Sequence, residues 1–286
     1  MAIELSTIRF TTWADVVPPF GAEEIVNTGI VNTLAGNDRI TGNGSNIASG
    51  DGIWNGNSDN RTASIDTGDG DDMITGIGDK NDDYGFGILN LGFIDTGNGN
   101  DIITGIGGIG IMNTNRIDTG NGDDIIIGSG RLAIVNYSYI STGNGNDSII
   151  AYGNLTHTNS IGLGDGDDFI VVTGDINSSS TIYMGNGNDS MITYGSINRD
   201  LNGRVVELED GNDYFRGFGD GSYSGGNGKD TLELTSGIYT VGISGTAVNF
   251  TKGSTIMETF DFDILKAGNA TYGIPSLNNG QTIFVP

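Results

Sequence analysis

Apolar residues recur along this chain in a fixed phase with a polar, glycine-rich loop. Each loop ends in an aspartate, an apolar residue stands two positions after that aspartate, and another stands seven positions before it. Phrases such as Ile-Asp-Thr alternate apolar and polar residues ahead of the loop, which is typical of a strand with one buried face. Helices are disfavoured because glycine recurs throughout the repeated part of the chain.

The two apolar positions predict two interior ladders, because stacked copies of a repeat bring equivalent residues together. The ladder after the loop comprises Ile40, Ile74, Ile103, Ile126, Ile149, Ile170, Met191, Phe215 and Leu232. The ladder before the loop comprises Ile65, Ile94, Ile117, Ile140, Ile161, Ile182 and Val206. A third, polar ladder of turn asparagines stacked amide on amide is predicted eleven residues before the aspartate, at Asn27, Asn90, Asn113 and Asn136.

The loop itself reads Gly-(Asn/Asp)-Gly-(Asn/Asp)-Asp in its six best copies, the first of them at residues 68–72. Its final aspartates stand at 38, 72, 101, 124, 147, 168, 189, 213 and 230, most of them 21–34 residues apart. Such a period predicts a solenoid in which each repeat forms one coil. The longer gap after residue 72 holds residues 78–85, which we interpret as an excursion loop.

Composition narrows the class of protein. The chain of 286 residues has 50 glycines, no cysteine and a formal net charge of −24, against only 12 Lys and Arg. This charge disfavours binding to nucleic acid or to anionic membranes. The lack of cysteine excludes disulfides and thiolate metal sites. No apolar run is long enough for a membrane span, and the start of the chain lacks the pattern of a cleavable secretory signal.

The repeated loop predicts a metal site. In a parallel solenoid, equivalent loops stack about 4.8 Å apart, so each aspartate lies beside that of the next coil. A cation between successive loops would replace the repulsion of these carboxylates by shared coordination. Ca2+ accepts six to eight oxygen ligands in flexible geometry, whereas Mg2+ requires a tighter octahedron. Calcium is therefore the predicted cofactor, with several ions per chain.

The loop followed by x-Ile resembles the Gly-Gly-x-Gly-x-Asp repeat of RTX proteins, the hemolysin-type calcium-binding family, in the multi-repeat form common in cyanobacteria. The resemblance covers the chain from Asp38 to about Leu234. It implies calcium held between stacked turns by loop carbonyls and aspartate side chains. The metal residues carried over are Asp38, Gly68, Gly70, Asp72, Gly97, Gly99, Asp101, Gly120, Gly122, Asp124, Gly143, Gly145, Asp147, Gly164, Gly166, Asp168, Gly185, Gly187, Asp189, Gly211, Asp213 and Asp230.

The chain departs from this family in having one calcium loop per coil, where RTX coils carry one at each end. We therefore expect an all-β fold, a right-handed parallel β-helix or β-roll of about eight coils with one column of ions and a cap at each end. Prolines occur only at 18, 19, 275 and 286, consistent with a hydrogen-bonded body between two different ends. The predicted divisions are an N-terminal cap (1–24), the calcium-binding repeats (25–234) and a C-terminal β cap (235–286).

Two other functions compete with a structural role. The first is a calcium-dependent polysaccharide-acting enzyme or its accessory module, which could use the paired carboxylates of the loops and Arg116, Arg131 or Arg199. A Ser-His-Asp arrangement is not expected, because the single histidine, His157, is flanked by turn residues. The outward Asn and Asp residues of the loops could instead form an ice-binding array.

The preferred interpretation is a non-enzymatic, secreted or cell-surface protein that folds on binding calcium and serves as a structural, adhesion or matrix component. Its other partners would be cell-surface glycans or matrix proteins. The RTX resemblance further implies that residues 235–286 serve as an uncleaved secretion signal.

Overall fold

The computed structural model describes residues 2–17, 23–45, 50–56, 62–199 and 204–286. Within these ranges the regular structure consists of β-strands and two short 3-10 turns, Leu5–Thr7 and Ile274–Ser276. Consecutive coils place their strands in three parallel stacks, so the chain is a parallel β-solenoid, as the spacing predicts. The handedness of its winding stays a prediction.

Stack 1 contains the strands that follow the loop aspartates. Its members are Val16–Val17, Arg39–Asn43, Met73–Ile77, Ile102–Ile106, the first parts of Ile125–Asn136 and Ser148–His157, and then Phe169–Val172, Ser190–Thr193, Tyr214–Arg216, Thr231–Glu233 and Ile264–Ala267.

Stack 2 contains the next strand of each coil. Its members are Ile3–Glu4, Ile25–Asn27, Ile53–Asn55, Phe86–Asn90, Ile109–Asn113, the second parts of Ile125–Asn136 and Ser148–His157, and then Ile176–Ser178 and Ile197–Arg199. In the two coils that begin at Ile125 and Ser148, stacks 1 and 2 are joined in one continuous strand.

Stack 3 contains the strands that precede the loops, which therefore connect stack 3 to stack 1 of the next coil. Its members are Ile30–Asn32, Ser64–Asp66, Phe93–Asp95, Arg116–Asp118, Tyr139–Asn144, Ile161–Asp165, Ile182–Asn186, Arg204–Glu207, Gly221–Ser224 and Thr255–Phe260. Two short strands, Asp210–Gly211 and Asn227–Gly228, extend the pairing into the last loops.

The interior is a set of aliphatic ladders, one on each stack. Ile74, Ile103 and Ile126 occupy equivalent positions in successive strands of stack 1 and are fully buried. Ile65, Ile94 and Ile117 do the same on stack 3. Both predicted ladders are therefore confirmed, and the alternation ahead of each loop arises because every second side chain points into this core.

The predicted asparagine ladder is also confirmed. Asn90 donates its amide to Asn113 Oδ1 at 2.8 Å, and Asn113 donates to Asn136 Oδ1 at the same distance. Asn55 belongs to this ladder as well, between Asn27 and Asn90. These five side chains are fully buried at the end of stack 2, where they also donate to main-chain carbonyls at the start of stack 3 in the next coil. His157, Ser178 and Arg199 continue the same register in later coils.

The predicted excursion loop, residues 78–85, lies between Met73–Ile77 and Phe86–Asn90 and contains turns at residues 80–84.

The ends of the solenoid differ from its body. The antiparallel strand pairs all involve strands from Gly237 onward: Gly237–Ser244, Ala247–Lys252, Thr255–Phe260, Ile264–Ala267, Ala270–Gly273 and Thr282–Val285. At the other end, Ile3–Glu4 and Val16–Val17 already pair with the first coil. The boundaries 1–24, 25–234 and 235–286 stay predictions.

Candidate metal sites

The loops stack too closely for any side chain at their glycines. Gly99 has a φ of +132°, and a Cβ added there would lie 2.0 Å from the carbonyl oxygen of Gly70 in the preceding loop. The same left-handed φ occurs at Gly68, Gly70, Gly97, Gly120, Gly122, Gly143, Gly145, Gly164, Gly166, Gly185 and Gly187. Only glycine combines this backbone conformation with such a close approach. The glycine spacing of the motif is thus a stacking requirement.

Main-chain hydrogen bonds join each loop to the next. Asn98 donates its N–H to the carbonyl oxygen of Gly68 at 2.9 Å, and Gly70 donates to that of Asn98 at 2.8 Å. The pattern repeats at later loops. The first glycine carbonyl is therefore engaged within the stack. The second glycine carbonyl points towards the next loop, which makes it a candidate main-chain ligand.

The nine loop aspartates form one buried column. Their side chains are at most 2% exposed. One carboxylate oxygen of each accepts the main-chain N–H of the equivalent residue in the preceding coil; for example, Asp101 donates to Asp124 Oδ1 at 2.8 Å. The members of the column are Asp38, Asp72, Asp101, Asp124, Asp147, Asp168, Asp189, Asp213 and Asp230. The structure thus places every predicted aspartate on the same edge of the solenoid.

The second carboxylate oxygen, Oδ2, is buried in all nine residues and accepts no hydrogen bond of normal geometry. In the first five coils a threonine hydroxyl lies close enough to the carboxyl group to oppose the rise in its pKa. A buried ionised oxygen without a partner is energetically costly, so each column position requires either a proton or a cation. The same atom is unsatisfied at every level of the column. A ligand that repeats along the stack explains this pattern directly.

The pKa values of the column aspartates also indicate that these positions need a proton or a cation. Burial, together with repulsion from the neighbouring Asp189 and Asp147, raises the pKa of Asp168 to about 8. Burial also raises the pKa of Asp101 and Asp213 to about 7, with contributions from the aspartates on either side. For Asp72, Asp124 and Asp189 burial raises the pKa to about 6. Without a cation, several carboxyls therefore hold protons near neutral pH.

The donor set limits which metal could fit. Among the described residues, no cluster of three or more carboxylate, imidazole or thiolate groups could hold a metal ion. A site between loops would therefore combine aspartate Oδ2 atoms with main-chain carbonyls, such as those of Gly70 and Gly99. An all-oxygen, carbonyl-rich set suits Ca2+, which tolerates variable geometry, better than Zn2+ or Mg2+.

The sequence interpretation missed the two ends of the column. Asp15 donates its N–H to Asp38 Oδ1 at 2.7 Å, and Asp263 accepts the N–H of Asp230 at 3.0 Å. Neither lies in a Gly-x-Gly loop. Each does obey the rule of an apolar residue two positions later, because Val17 and Leu265 are buried. That rule alone is a weak signal, since Asp51 and Asp71 also have an apolar residue two positions later.

A threonine ladder lies beside the carboxylates. The hydroxyl of Thr96 donates to the carbonyl oxygen of Thr119 at 3.1 Å, and equivalent bonds are made by Thr33, Thr67, Thr119 and Thr142. These buried residues occupy the position where the RTX motif has glycine. Threonine at this position therefore provides a hydrogen bond between coils.

Outside the column, the loops carry two exposed polar ladders. Asn98, Asn121 and Asn144 are linked by side-chain amide bonds of 2.6–2.8 Å. The second ladder links main-chain N–H groups to the side chains of Asp71, Asn100, Asp123, Asn146, Asp167 and Asn188. These are the outward residues that the sequence suggests as an ice-binding array, and the structure stacks them in two rows along the loop edge.

The candidate enzyme residues do not converge. Arg116 pairs with Asp118 on stack 3, whereas Arg131 pairs with Asp83. Arg199 ends stack 2. His157 is buried within the asparagine ladder register, its Nδ1 lies 3.2 Å from the carbonyl oxygen of Asn159, and burial lowers its pKa to about 4. These residues form no shared site.

Comparisons with known proteins identify no family. No protein-family model matches the chain, and no curated protein does. One solved structure that resembles it is described as a hyperactive, Ca2+-dependent, β-helical antifreeze protein from an Antarctic bacterium. The resemblance covers 79% of this chain and 78% of that one, at 21% identity and a TM-score of 0.44. Among the described residues, no helix is both long and apolar enough to cross a membrane.

Proposed function

We propose that this chain is a calcium-binding solenoid of the RTX type, whose fold is held together by a column of Ca2+ ions between stacked loops. The observation that carries the proposal is the buried column of nine aspartates, each with one oxygen bonded within the stack and one without a partner. Asp Oδ2 atoms and second-glycine carbonyls would supply the ligands. Bound calcium would supply positive charge and bridging coordination.

Calcium binding would be coupled to folding. In an unfolded chain the loop aspartates are far apart, so only the stacked form offers several oxygens to one ion. Each ion bound then stabilises the stack by mass action, according to its concentration relative to its Kd. In metal-free solution, repulsion and desolvation of the aspartates oppose stacking.

The experiment is a calcium titration of metal-stripped protein, followed by far-ultraviolet circular dichroism and isothermal titration calorimetry. We expect β-structure or melting temperature to rise with calcium, and several ions to bind per chain. Crystals soaked in a lanthanide salt, as a heavier substitute for calcium, should show anomalous peaks in one row along the loop edge. An unchanged dichroism signal and melting temperature, or peaks elsewhere, would overturn the proposal.

We further propose a secreted or cell-surface location and a non-enzymatic structural, adhesion or matrix role, with glycans or other matrix proteins as partners. Support comes from the proposed calcium column, which would stabilise the fold where calcium is abundant, and from the sequence resemblance that implies a C-terminal secretion signal. Fractionation of the producing cells with an antibody to the full chain tests the location. Protein confined to the cytoplasm would contradict it.

Ice binding is a second candidate function. The observation that favours it is the pair of exposed, hydrogen-bonded Asn and Asp rows on the loop edge. A freezing-hysteresis assay of calcium-loaded protein tests this candidate. Hysteresis that is lost when Asn121 is replaced by Lys, without a change in melting temperature, would support it. Absence of hysteresis in the unmodified protein would eliminate it.

A further inference from the structure

The outward side of stack 1 carries no charged residue over six consecutive strands, from Met73–Ile77 to Ser190–Thr193. Every second side chain of these strands points away from the core, and the strand register aligns these side chains in three rows. We call this surface the stack 1 face. Its central row consists of Thr75, Thr104, Ile127, Ile150, Val171 and Ile192, and the two flanking rows stand two residues before and two residues after each of these.

The stack 1 face is accessible to a partner. No side chain of the three rows is buried. Neighbours about 4.8 Å away in the same row shield the flanks of each side chain, so half-buried isoleucines such as Ile127 are what an uncovered face shows. Tyr152 and Tyr194 stand in the row farthest from the loops and are 55% and 63% exposed.

The size of this face is sufficient for a stable contact between proteins. Six strands and three rows span roughly 29 Å by 20 Å, or about 570 Å2 of projected area. Soluble monomers rarely expose largely apolar patches of more than a few hundred Å2. Apart from Ser and Thr, the rows contain Ile, Val, Met, Phe and Tyr. Two such faces in contact would bury more than about 1,000 Å2, which is the area that a specific interface requires.

The chemistry of the face favours a second copy of this chain as its partner. A strongly charged partner would meet no opposite charge on the face, and burying unpaired charges is costly. Another copy presents the same side chains in rows with the same spacing of about 4.8 Å. The ridges of one sheet can therefore pack into the grooves of the other over the full length of the face. Pairing of one patch with itself is also the commonest form of soluble oligomer.

The position of the acidic loops is compatible with this pairing, although each chain has a formal net charge of −24. The loops adjoin the first row of the face, and the two exposed tyrosines lie on the opposite side. A twofold axis within the interface and parallel to the solenoid places the loop edge of one copy beside the tyrosine edge of its partner. The two acidic edges are then separated by roughly 20 Å, about twice the distance over which physiological salt screens charges.

We propose that the stack 1 face joins two copies of this chain, face to face, in a homodimer. The dimer leaves both loop edges and both stack 3 surfaces free for other contacts. None of the loop aspartates belongs to the three rows, so the dimer and the calcium column can fail separately.

The test is sedimentation velocity of the calcium-loaded full chain over a series of protein concentrations from micromolar upwards. We expect a reversible species of twice the 29.8 kDa monomer mass. A monomer at every concentration would overturn the proposal. Assemblies that continue to grow beyond the dimer would also overturn it, because pairing of one patch with itself closes at two copies. A monomer that binds neutral phosphatidylcholine vesicles would assign the face to lipid instead.

Variants locate the interface. Ile127→Lys places a charge at the centre of the face and should weaken dimerisation roughly tenfold or more, because the dimer buries that charge without a partner. Ile30→Lys is the matched control, since Ile30 is 77% exposed on stack 3, and it should leave dimerisation unchanged. Tyr152→Ala changes an exposed side chain and provides a second test if Ile127→Lys fails to fold; it should also weaken the dimer. Unchanged dimerisation in folded Ile127→Lys or in Tyr152→Ala, or an equal loss in Ile30→Lys, would refute the assignment.

Discussion

At the scale of single residues, the loop aspartates combine a structural and a chemical task. One oxygen closes an inter-coil hydrogen bond, and the other is buried without a partner. A neutral amide could perform the first task equally well, as the asparagine ladder at the end of stack 2 shows. The presence of a carboxylate at all nine positions therefore indicates that the charge itself is needed, which the calcium proposal explains.

Replacing Asp124 by Asn separates the two tasks. The amide retains the Oδ1 acceptor for Asp101 N–H but removes a buried charge beside Asp147. We expect the metal-free variant to melt at the same or a higher temperature than the unmodified protein. In saturating calcium it should melt at a lower temperature and bind fewer ions, because one site at a hundredfold excess over Kd contributes about 2.7 kcal/mol. Calorimetry and thermal melts with and without calcium check both signs.

The control for that prediction is Asp123→Asn, which removes the same charge from the exposed neighbouring position. Its effect in calcium should be much smaller. If Asp124→Asn lowered the melting temperature equally with and without calcium, the carboxylate would stabilise the fold without a metal ion.

Two glycines test the stacking requirement. Gly122 has a φ of +134°, and a Cβ there would lie 1.9 Å from the carbonyl oxygen of Gly99. Gly162 lies in a strand, and a Cβ there meets nothing within 4 Å. We expect Gly122→Ala to lower the free energy of unfolding by about 2–4 kcal/mol, and Gly162→Ala to change it by less than about 1 kcal/mol. Denaturant titration of the calcium-loaded variants measures both, and equal effects would contradict the close stacking.

At the scale of elements, the sequence predicts those features that recur in the local sequence of every coil. The loop glycines and the isoleucines on either side recur at fixed distances from the aspartate, so both aliphatic ladders could be predicted. Asn55 was missed because it lies 17 positions before Asp72, where its neighbours in the ladder lie eleven before theirs. Asp15 and Asp263 were missed because pairing with a neighbouring coil, and not a local motif, places them in the column.

The asparagine ladder predicts a cooperative element. Asn113 accepts one amide bond from Asn90 and donates to Asn136, to Asn115 and to Tyr139. Its replacement by Ala would leave buried partners unsatisfied on both sides, at about 1–3 kcal/mol each. We therefore expect a loss of at least about 2 kcal/mol in unfolding free energy, measured in denaturant. Asn98→Ala, in the exposed ladder of the loops, should cost less than about 1 kcal/mol, and a similar loss at the two sites would argue against a special role for the buried ladder.

At the scale of the whole molecule, the aspartate column and the calcium proposed to occupy it should govern how stability depends on pH. In the metal-free fold, burial raises the pKa of Asp101, Asp168 and Asp213 to about 7 or 8, whereas in the unfolded chain an aspartate has a pKa of about 3.9. Between these values the folded state binds more protons than the unfolded state, so its stability falls as pH rises. Calcium requires the ionised carboxylate and competes with those protons, which reverses the trend.

We therefore expect metal-stripped protein to melt at a higher temperature near pH 5 than near pH 8, and calcium-loaded protein to do the opposite. Thermal melts in metal-free buffers and in millimolar calcium measure the two curves. Asp168→Asn should flatten the metal-free curve most, because burial raises the pKa of Asp168 to about 8, while Asp165→Asn at an exposed position of the same loop should leave it unchanged. Metal-free protein that gains stability between pH 5 and pH 8 would show that the column does not hold these protons. The conclusion that calcium replaces protons would then fail at the level of the whole fold.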